Sequence, residues 1–183
     1  MPRVLIPLAA GCEELEAVTI IDLLRRARID VVTASLTAGP VHCSRGTVLL
    51  ADRLLDEVAD EDFDMIALPG GLPGADHLNA DPRIHRLINR LAAADKHVAA
   101  ICAAPKVLVE NGVANGHRLT AFPGALDVLD TSQVQLTGQP VEVDNKLITS
   151  RGPGTAMDFS LQLIETLLGK AARDQVEAPL QRP

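Results

Sequence analysis

The sequence contains no tryptophan and no tyrosine, and three phenylalanines bring its aromatic content to only 2%. A core built from this chain must therefore be aliphatic, made of Leu, Val, Ile and Ala. The same shortage argues against nucleic-acid binding, which draws on stacking rings and a basic footprint, and the formal net charge is −7. No stretch approaches the roughly 18 apolar residues of a membrane span, so no membrane partner is expected. The three cysteines show no C-x-x-C spacing, which suggests neither a disulfide framework nor a zinc knuckle. Free thiols point to a reducing compartment, most simply the cytoplasm. The opening "RVLIPLAAGC" carries an Arg, a short apolar run and a Cys, as lipoprotein signals do. However, Val4 to Ala10 is barely long enough, Leu8 lies one place too early relative to Cys12, and charged residues follow at once. No processed leader is expected.

What is present is a chain of 183 residues, 47% hydrophobic, which suits one domain, 1–183, with a sizeable core. Apolar runs alternate with helix-period segments, the pattern of a parallel sheet flanked by helices. "RVLIPLA", "DVVTASL", "FDMIALPGG" and "HVAAICA" read as strands, and "TVLLAD" as a short strand near an edge. "EELEAVTIIDLLRRA" reads as an amphipathic helix. "DPRIHRLINRLAAA" reads as another, with Asp81 as N-cap and Pro82 at its first position. "APKVLVENG" is a short helix closed by Gly112. "VEVDNKLITS" forms a hairpin about Asp144 and Asn145, and "GTAMDFSLQLIETLLG" is the last strong helix.

Ligands of open α/β sheets bind outside the carboxyl ends of the strands. Three loops are expected at that edge: "AAGCEELE" after the first strand, "PGGLPGA" after the fourth and "CAAPK" after the fifth. Cys102 is the only nucleophile-type side chain of the last. The N-terminus of the following helix would favour its thiolate, and Ala100, Ala103 and Ala104 permit a sharp strand-to-helix turn. A small buried hydrophobe fits this stretch equally well.

Glu16 breaks the tie. Projected at about 100° per residue, it falls between Leu23 and Ala27, inside the apolar arc that holds Ile20 and Leu24. Glu13 projects there too, but from the first turn, whereas Glu14 suits the helix dipole. A buried carboxyl has a raised pKa, stays protonated and can donate a hydrogen bond to a thiolate. Gly70 and Gly71 could offer N–H groups to an oxyanion, or simply form a tight turn. Cys12, beside carboxylates, and Cys43, with Arg45 nearby, read as the less reactive thiols. His42 reads as a surface or strand-edge residue, and His85 as projecting from a solvated helix.

Taken together, "GCEELEAV", "LPGGLPGA", "AAICAAP" and "TSRGPGTAMDF" resemble the ThiJ/PfpI superfamily, in the group of the parkinsonism-associated protein DJ-one and bacterial YajL. The similarity runs from Arg3 to about Leu180. The resemblance implies a flavodoxin-like α/β sandwich, mostly parallel with helices on both faces, like the class I glutamine amidotransferase domain, and a homodimer. It implies that Cys102 is an oxidation-sensitive nucleophile with Glu16 as its protonated partner, and that Gly71 and Ala103 supply oxyanion N–H groups. It also places Arg26 and Arg45 near the subunit interface and active site, and Pro153, within Ser150 to Thr155, in a loop bordering the pocket. Phe122 stands where some members carry His, Ala103 stands where the protease-like branch carries His, and no His follows His117. Proteolysis and glutamine hydrolysis lose ground accordingly.

The function so implied is cysteine-dependent chemistry on reactive carbonyls. It would take the form of glutathione-independent conversion of methylglyoxal to lactate, or removal of early glycation adducts from proteins and nucleotides. A redox-sensing stress protein or chaperone, with Cys102 oxidised to sulfinic acid, is the competing class. Thiazole or pyrimidine metabolism ranks last, since there is no P-loop-type phosphate loop and no acidic metal cluster. No cofactor and no metal are expected.

Overall fold

The structure is a computed structural model and describes residues 1–182. The chain begins with β1 (Arg3–Leu8), α1 (Glu14–Arg26) and β2 (Asp30–Ser35). Three two-residue strands follow, β3 (Val41–His42), β4 (Val48–Leu49) and β5 (Arg53–Leu54), then the short α2 (Leu55–Val58). Next come β6 (Met65–Leu68), α3 (Gly74–Ala80), α4 (Pro82–Ala93), β7 (His97–Ile101) and α5 (Pro105–Asn111). Beyond them lie β8 (Arg118–Leu119), β9 (Gln135–Leu136), β10 (Val141–Asp144), β11 (Leu147–Ser150), α6 (Ala156–Leu168) and α7 (Lys170–Glu177).

Seven strands form one sheet in the order β10-β11-β7-β6-β1-β2-β5. Neighbours run parallel throughout, except that β10 returns antiparallel to β11. Period-two alternation sorts the side chains to two cores. Val4, Ile6, Met65, Ala67, Ala99 and Ile101 face α1 and α6, where Ile20, Leu24 and Phe159 complete the layer. Leu5, Ile66, Leu68, Val98 and Ala100 face the other way, against Ile84, Leu87 and Ile88 of α4 and Leu108 of α5. With both strand faces covered, near-continuous apolar strands are what the architecture demands. This is the flavodoxin-like α/β sandwich implied by the motifs.

Local chemistry sets several boundaries as expected. Asp81 accepts a hydrogen bond from Arg83 N and caps α4, which Pro82 opens. Gly112, at φ +85°, ends α5. Other expectations need correction. Val48 and Leu49 leave the main sheet and pair only with β3, so the sheet edge falls instead to Arg53 and Leu54. The loop expected at "PGGLPGA" is shorter than that, since Gly74–Ala80 form the helix α3, and a further helix, α7, follows α6. The β10–β11 hairpin turns on Asn145 and Lys146, with Asn145 at φ +55°, one residue later than read.

The site follows from the strand order. From β1 the chain crosses to β2 on one side, while β6 and β7 extend the sheet on the other. The loops leaving the carboxyl ends of β1 and β6 therefore diverge and open a crevice between them.

In a core that is otherwise mostly aliphatic, the contribution of the fully buried Phe159 is directly measurable. Phe159 is fully buried and Val128 is 88% exposed. Phe159→Ala is expected to lower the unfolding free energy by about 3–5 kcal/mol. Val128→Ala should stay within about 0.5 kcal/mol, both read by urea denaturation.

Candidate active site

Cys102 directly follows β7 and adopts φ +65°, the left-handed region that non-glycine residues rarely enter. Two backbone hydrogen bonds hold it there: its N–H donates to the Ser150 carbonyl at 2.9 Å, and its carbonyl accepts from Phe122 N–H at 2.8 Å. Pro105 then starts α5. A sharp turn between strand and helix brings a side chain to the carboxyl edge of the sheet, and Cys102 keeps 8% of its surface exposed there.

Glu16 comes from α1, on the stripe that also buries Ala17, Ile20, Leu23 and Leu24. It is completely buried. Its Oε2 accepts the Gly70 N–H at 2.8 Å, whereas Oε1 is buried without a hydrogen-bond partner of its own. Gly70 is required here, since a Cβ would lie 2.6 Å from Cys102 Cβ and 2.8 Å from Glu16 Oε2. Glu13, which the helical projection left open, is the N-cap of α1 and accepts the Glu16 N–H at 2.9 Å.

Burial raises the Glu16 carboxyl to about 7, against smaller lowering contributions from Cys102 and the Gly70 N–H. Burial also pushes the Cys102 thiol up, to about 12, and the charge and hydrogen bond of Glu16 add to the rise. The N–H groups of Gly71 and Ala103 act in the opposite sense and do not prevail. This modifies the expectation of a thiolate favoured by the helix terminus alone. Beside an ionised Glu16 the thiol keeps its proton, so a nucleophilic sulfur requires that proton to pass to the carboxyl. The two groups hold one proton between them above about pH 7, and the chemistry depends on which side holds it.

Cys102 opens onto a cleft of about 480 Å³, whose lining includes Glu13, Ser44, Arg45, Gly71, Ala103, Phe122 and Pro153. Of the residues read from sequence, Cys102, Gly71, Ala103, Arg45 and Pro153 thus meet at one cleft, with Gly70 and Glu16 beneath it. Arg26 does not. It sits in the last turn of α1, paired with Asp22 at 2.7 Å, and borders a separate hollow with Gln175 and Pro179. The helix points its far end away from the sheet edge that its first turn serves. Arg45 is held by Glu14: Oε1 and Oε2 accept Arg45 N–H at 3.1 and 3.0 Å, and Oε1 accepts Thr47 N–H at 3.2 Å. Desolvation, the largest single influence, opposes its ionisation, but the N–H groups of Glu14 itself, Arg45 and Thr47 together hold Glu14 near 2. Glu14 therefore ties down a loop rather than serving the helix dipole alone.

Of the wall formed by Phe122 to Ala125, the resemblance marks only Phe122, and no periodicity points to the rest. It is held by the Phe122 N–H bond to the Cys102 carbonyl and by the Ala125 N–H bond to the Phe122 carbonyl at 2.9 Å. His85 is likewise not simply solvated. Its Nε2 lies 2.7 Å from the Asn79 carbonyl and its Nδ1 3.1 Å from Asn111. Among the described residues no group of three or more His, Cys, Asp or Glu could hold a metal ion, and no helix is long and apolar enough to cross a membrane.

A model of the DJ-1/PfpI family matches residues 2–166. The chain belongs to the DJ-1/PfpI family. It is 41% identical over 173 residues to Protein dj-1beta of Drosophila melanogaster, covering 94% of this chain and 92% of that protein. It is 33% identical over 168 residues to a Caenorhabditis elegans protein named glutathione-independent glyoxalase DJR-1.2, covering 92% and 89% of the two. The structure of oxidised Toxoplasma gondii DJ-1 superposes with a TM-score of 0.93 at 39% identity, over 98% of each chain. Like this chain, these DJ-1/PfpI members are matched over nearly their whole length, so the cleft lies within the shared fold.

Two measurements follow from the buried pair. Alkylation of Cys102 by iodoacetamide should rise through an inflection near pH 7 in the natural sequence. Glu16→Gln should move that inflection to higher pH, because burial then acts on a thiol with no acceptor for its proton; an unmoved inflection would uncouple the two groups. Glu16 also shapes stability, since its carboxyl rises from 4.5 to about 7 on folding. The native state holds that proton more tightly than the unfolded chain. The stabilisation is full below about pH 4.5 and fades as pH rises through 7. Glu16→Gln should flatten this part of the stability profile in urea denaturation.

Proposed function

We propose that the protein is a cysteine-dependent enzyme of carbonyl stress defence that converts methylglyoxal to lactate without glutathione. The observation that carries this reading is the pairing of Cys102 with a fully buried Glu16 beside the Gly71 and Ala103 N–H groups. A nucleophile, a proton carrier tuned to neutrality and two oxyanion donors are what an aldehyde addition followed by proton transfer needs. The C. elegans relative's name points to the same chemistry.

In this mechanism the shared proton moves to Glu16 and the Cys102 sulfur adds to the aldehyde carbon. The carbonyl π electrons pass to oxygen, which the Gly71 and Ala103 N–H groups hold until it is protonated. The proton on the aldehyde carbon is then removed and one is delivered to the adjacent carbon, with Glu16 as carrier. The result is a thioester of lactic acid, formed with no net redox change. Water cleaves the thioester, releasing lactate and the free thiol. Removal of early glycation adducts from proteins or nucleotides would begin with the same addition.

A second reading is a redox-responsive stress protein or chaperone. It is favoured by the same Gly71 and Ala103 N–H groups, which suit a sulfinate on Cys102 as well as an alkoxide. Under either reading we take the working form to be a homodimer in a reducing compartment such as the cytoplasm. Leu15 and Val18 leave an apolar strip on the outer face of α1, at 50% and 45% exposure, which suits self-association.

Lactate formation from methylglyoxal, measured without glutathione, tests the enzyme reading. Cys102→Ser should abolish turnover, and Glu16→Gln should lower it about 10²- to 10⁴-fold. Absence of turnover in the natural sequence, with Cys102 still oxidising selectively under dilute peroxide, would favour the redox-responsive reading.

A further inference from the structure

Cys12 and Cys43 are 31 residues apart in sequence, yet their sulfurs lie 3.7 Å apart. Both are free and buried, Cys12 completely and Cys43 at 8% exposure. Backbone hydrogen bonds flank the pair on both sides: Gly11 N–H donates to the His42 carbonyl at 2.7 Å, and Ser44 N–H to the Cys12 carbonyl at 2.8 Å. The two chain segments are thus clamped together where the thiols meet. Cys12 precedes Glu13, and Cys43 precedes Ser44 and Arg45, and all three of these neighbours line the Cys102 cleft.

We propose that Cys12 and Cys43 form an intramolecular disulfide under two-electron oxidants such as peroxides, and that the bond reshapes the Glu13–Arg45 wall of the Cys102 cleft. The sulfurs need to close from 3.7 Å to about 2.05 Å. That displacement is carried into Glu13, whose carboxylate caps Glu16, and into the Ser44–Arg45 loop held by Glu14.

The order of events follows from the geometry. The Cys43 thiol faces the Val41 carbonyl at 3.9 Å, which leaves the Cys12 S–H to donate toward the Cys43 sulfur. Burial raises both thiols, but the Cys12 hydrogen bond partly relieves the rise at Cys43. Cys43, the more exposed, attacks the peroxide O–O bond, giving its sulfenic acid and releasing an alcohol or water. The Cys12 sulfur then attacks the sulfenic sulfur, the S–S bond forms and water leaves. Two thiol hydrogens and two electrons pass to the peroxide, which balances the step.

Trypsin separates the two cysteines into the peptides Val4–Arg25 and Ile29–Arg45. After limited hydrogen peroxide treatment of the whole protein, mass spectrometry should find these peptides joined, two hydrogens lighter than their sum. The species should vanish on dithiothreitol treatment and be missing from Cys12→Ser and Cys43→Ser. Recovery of both peptides unlinked, or linkage of either thiol to Cys102 or to a second chain instead, would overturn the pair. Protein oxidised with diamide should alkylate at Cys102 at a changed rate, restored by dithiothreitol, while Cys12→Ala and Cys43→Ala treated alike should not change. A linked peptide with an unchanged Cys102 rate would overturn the coupling to the cleft. Neither readout uses a carbonyl substrate, so both stand apart from the turnover assay.

Discussion

A carboxyl with no solvent exposure, set against a thiol at the end of a strand, is the constraint around which this molecule is arranged. Burying Glu16 as an anion would be costly, and the protein meets the cost in two ways. It raises the carboxyl to near neutrality, and it gives one oxygen, Oε2, the Gly70 N–H at 2.8 Å. Much nearby sequence serves that arrangement. Gly70 has no Cβ because none would fit between Glu16 and Cys102, and Glu13 caps the helix that carries Glu16. Ser150 and Phe122 pin both sides of the Cys102 peptide in a conformation it would otherwise avoid.

The sheet supplies the meeting place. Because the strand order diverges on either side of β1, the β1–α1 and β6–α3 loops part and leave room above the strand ends. Cys102 enters from the end of β7, the next strand over. The candidate site thus draws on three chain segments held by parallel pairing. The same crowding brings Cys12 under the Ser44–Arg45 loop, so a second, separate thiol chemistry lies within reach of the cleft wall.

What could be read from sequence was local and periodic. Glu16 stood out because a charged residue inside an apolar helical arc is a contradiction that burial alone must resolve. Cys102 stood out because small residues and a proline mark a strand-to-helix turn. Asp81, Pro82 and Gly112 announced helix ends through the hydrogen-bond and φ requirements of those positions. Features set by long-range packing stayed hidden. The contact of Cys12 with Cys43 depends on how a loop after β1 meets a hairpin outside the main sheet, and no spacing encodes it. Arg26 was expected near the site by resemblance, yet the length of α1 carries it to the opposite end. The residues after β8 form a cleft wall tied to Cys102 by the Phe122 N–H, a backbone contact that no side-chain pattern reveals.

The central claim is that Glu16 and Cys102 titrate as one unit. Carbon-13 NMR with labelled glutamate and cysteine, following Glu16 Cδ and Cys102 Cβ in the same samples across pH, tests it most directly. The account predicts that both nuclei report a common step near pH 7. A Glu16 signal titrating alone in the ordinary carboxylate range, with Cys102 silent through that step, would contradict it.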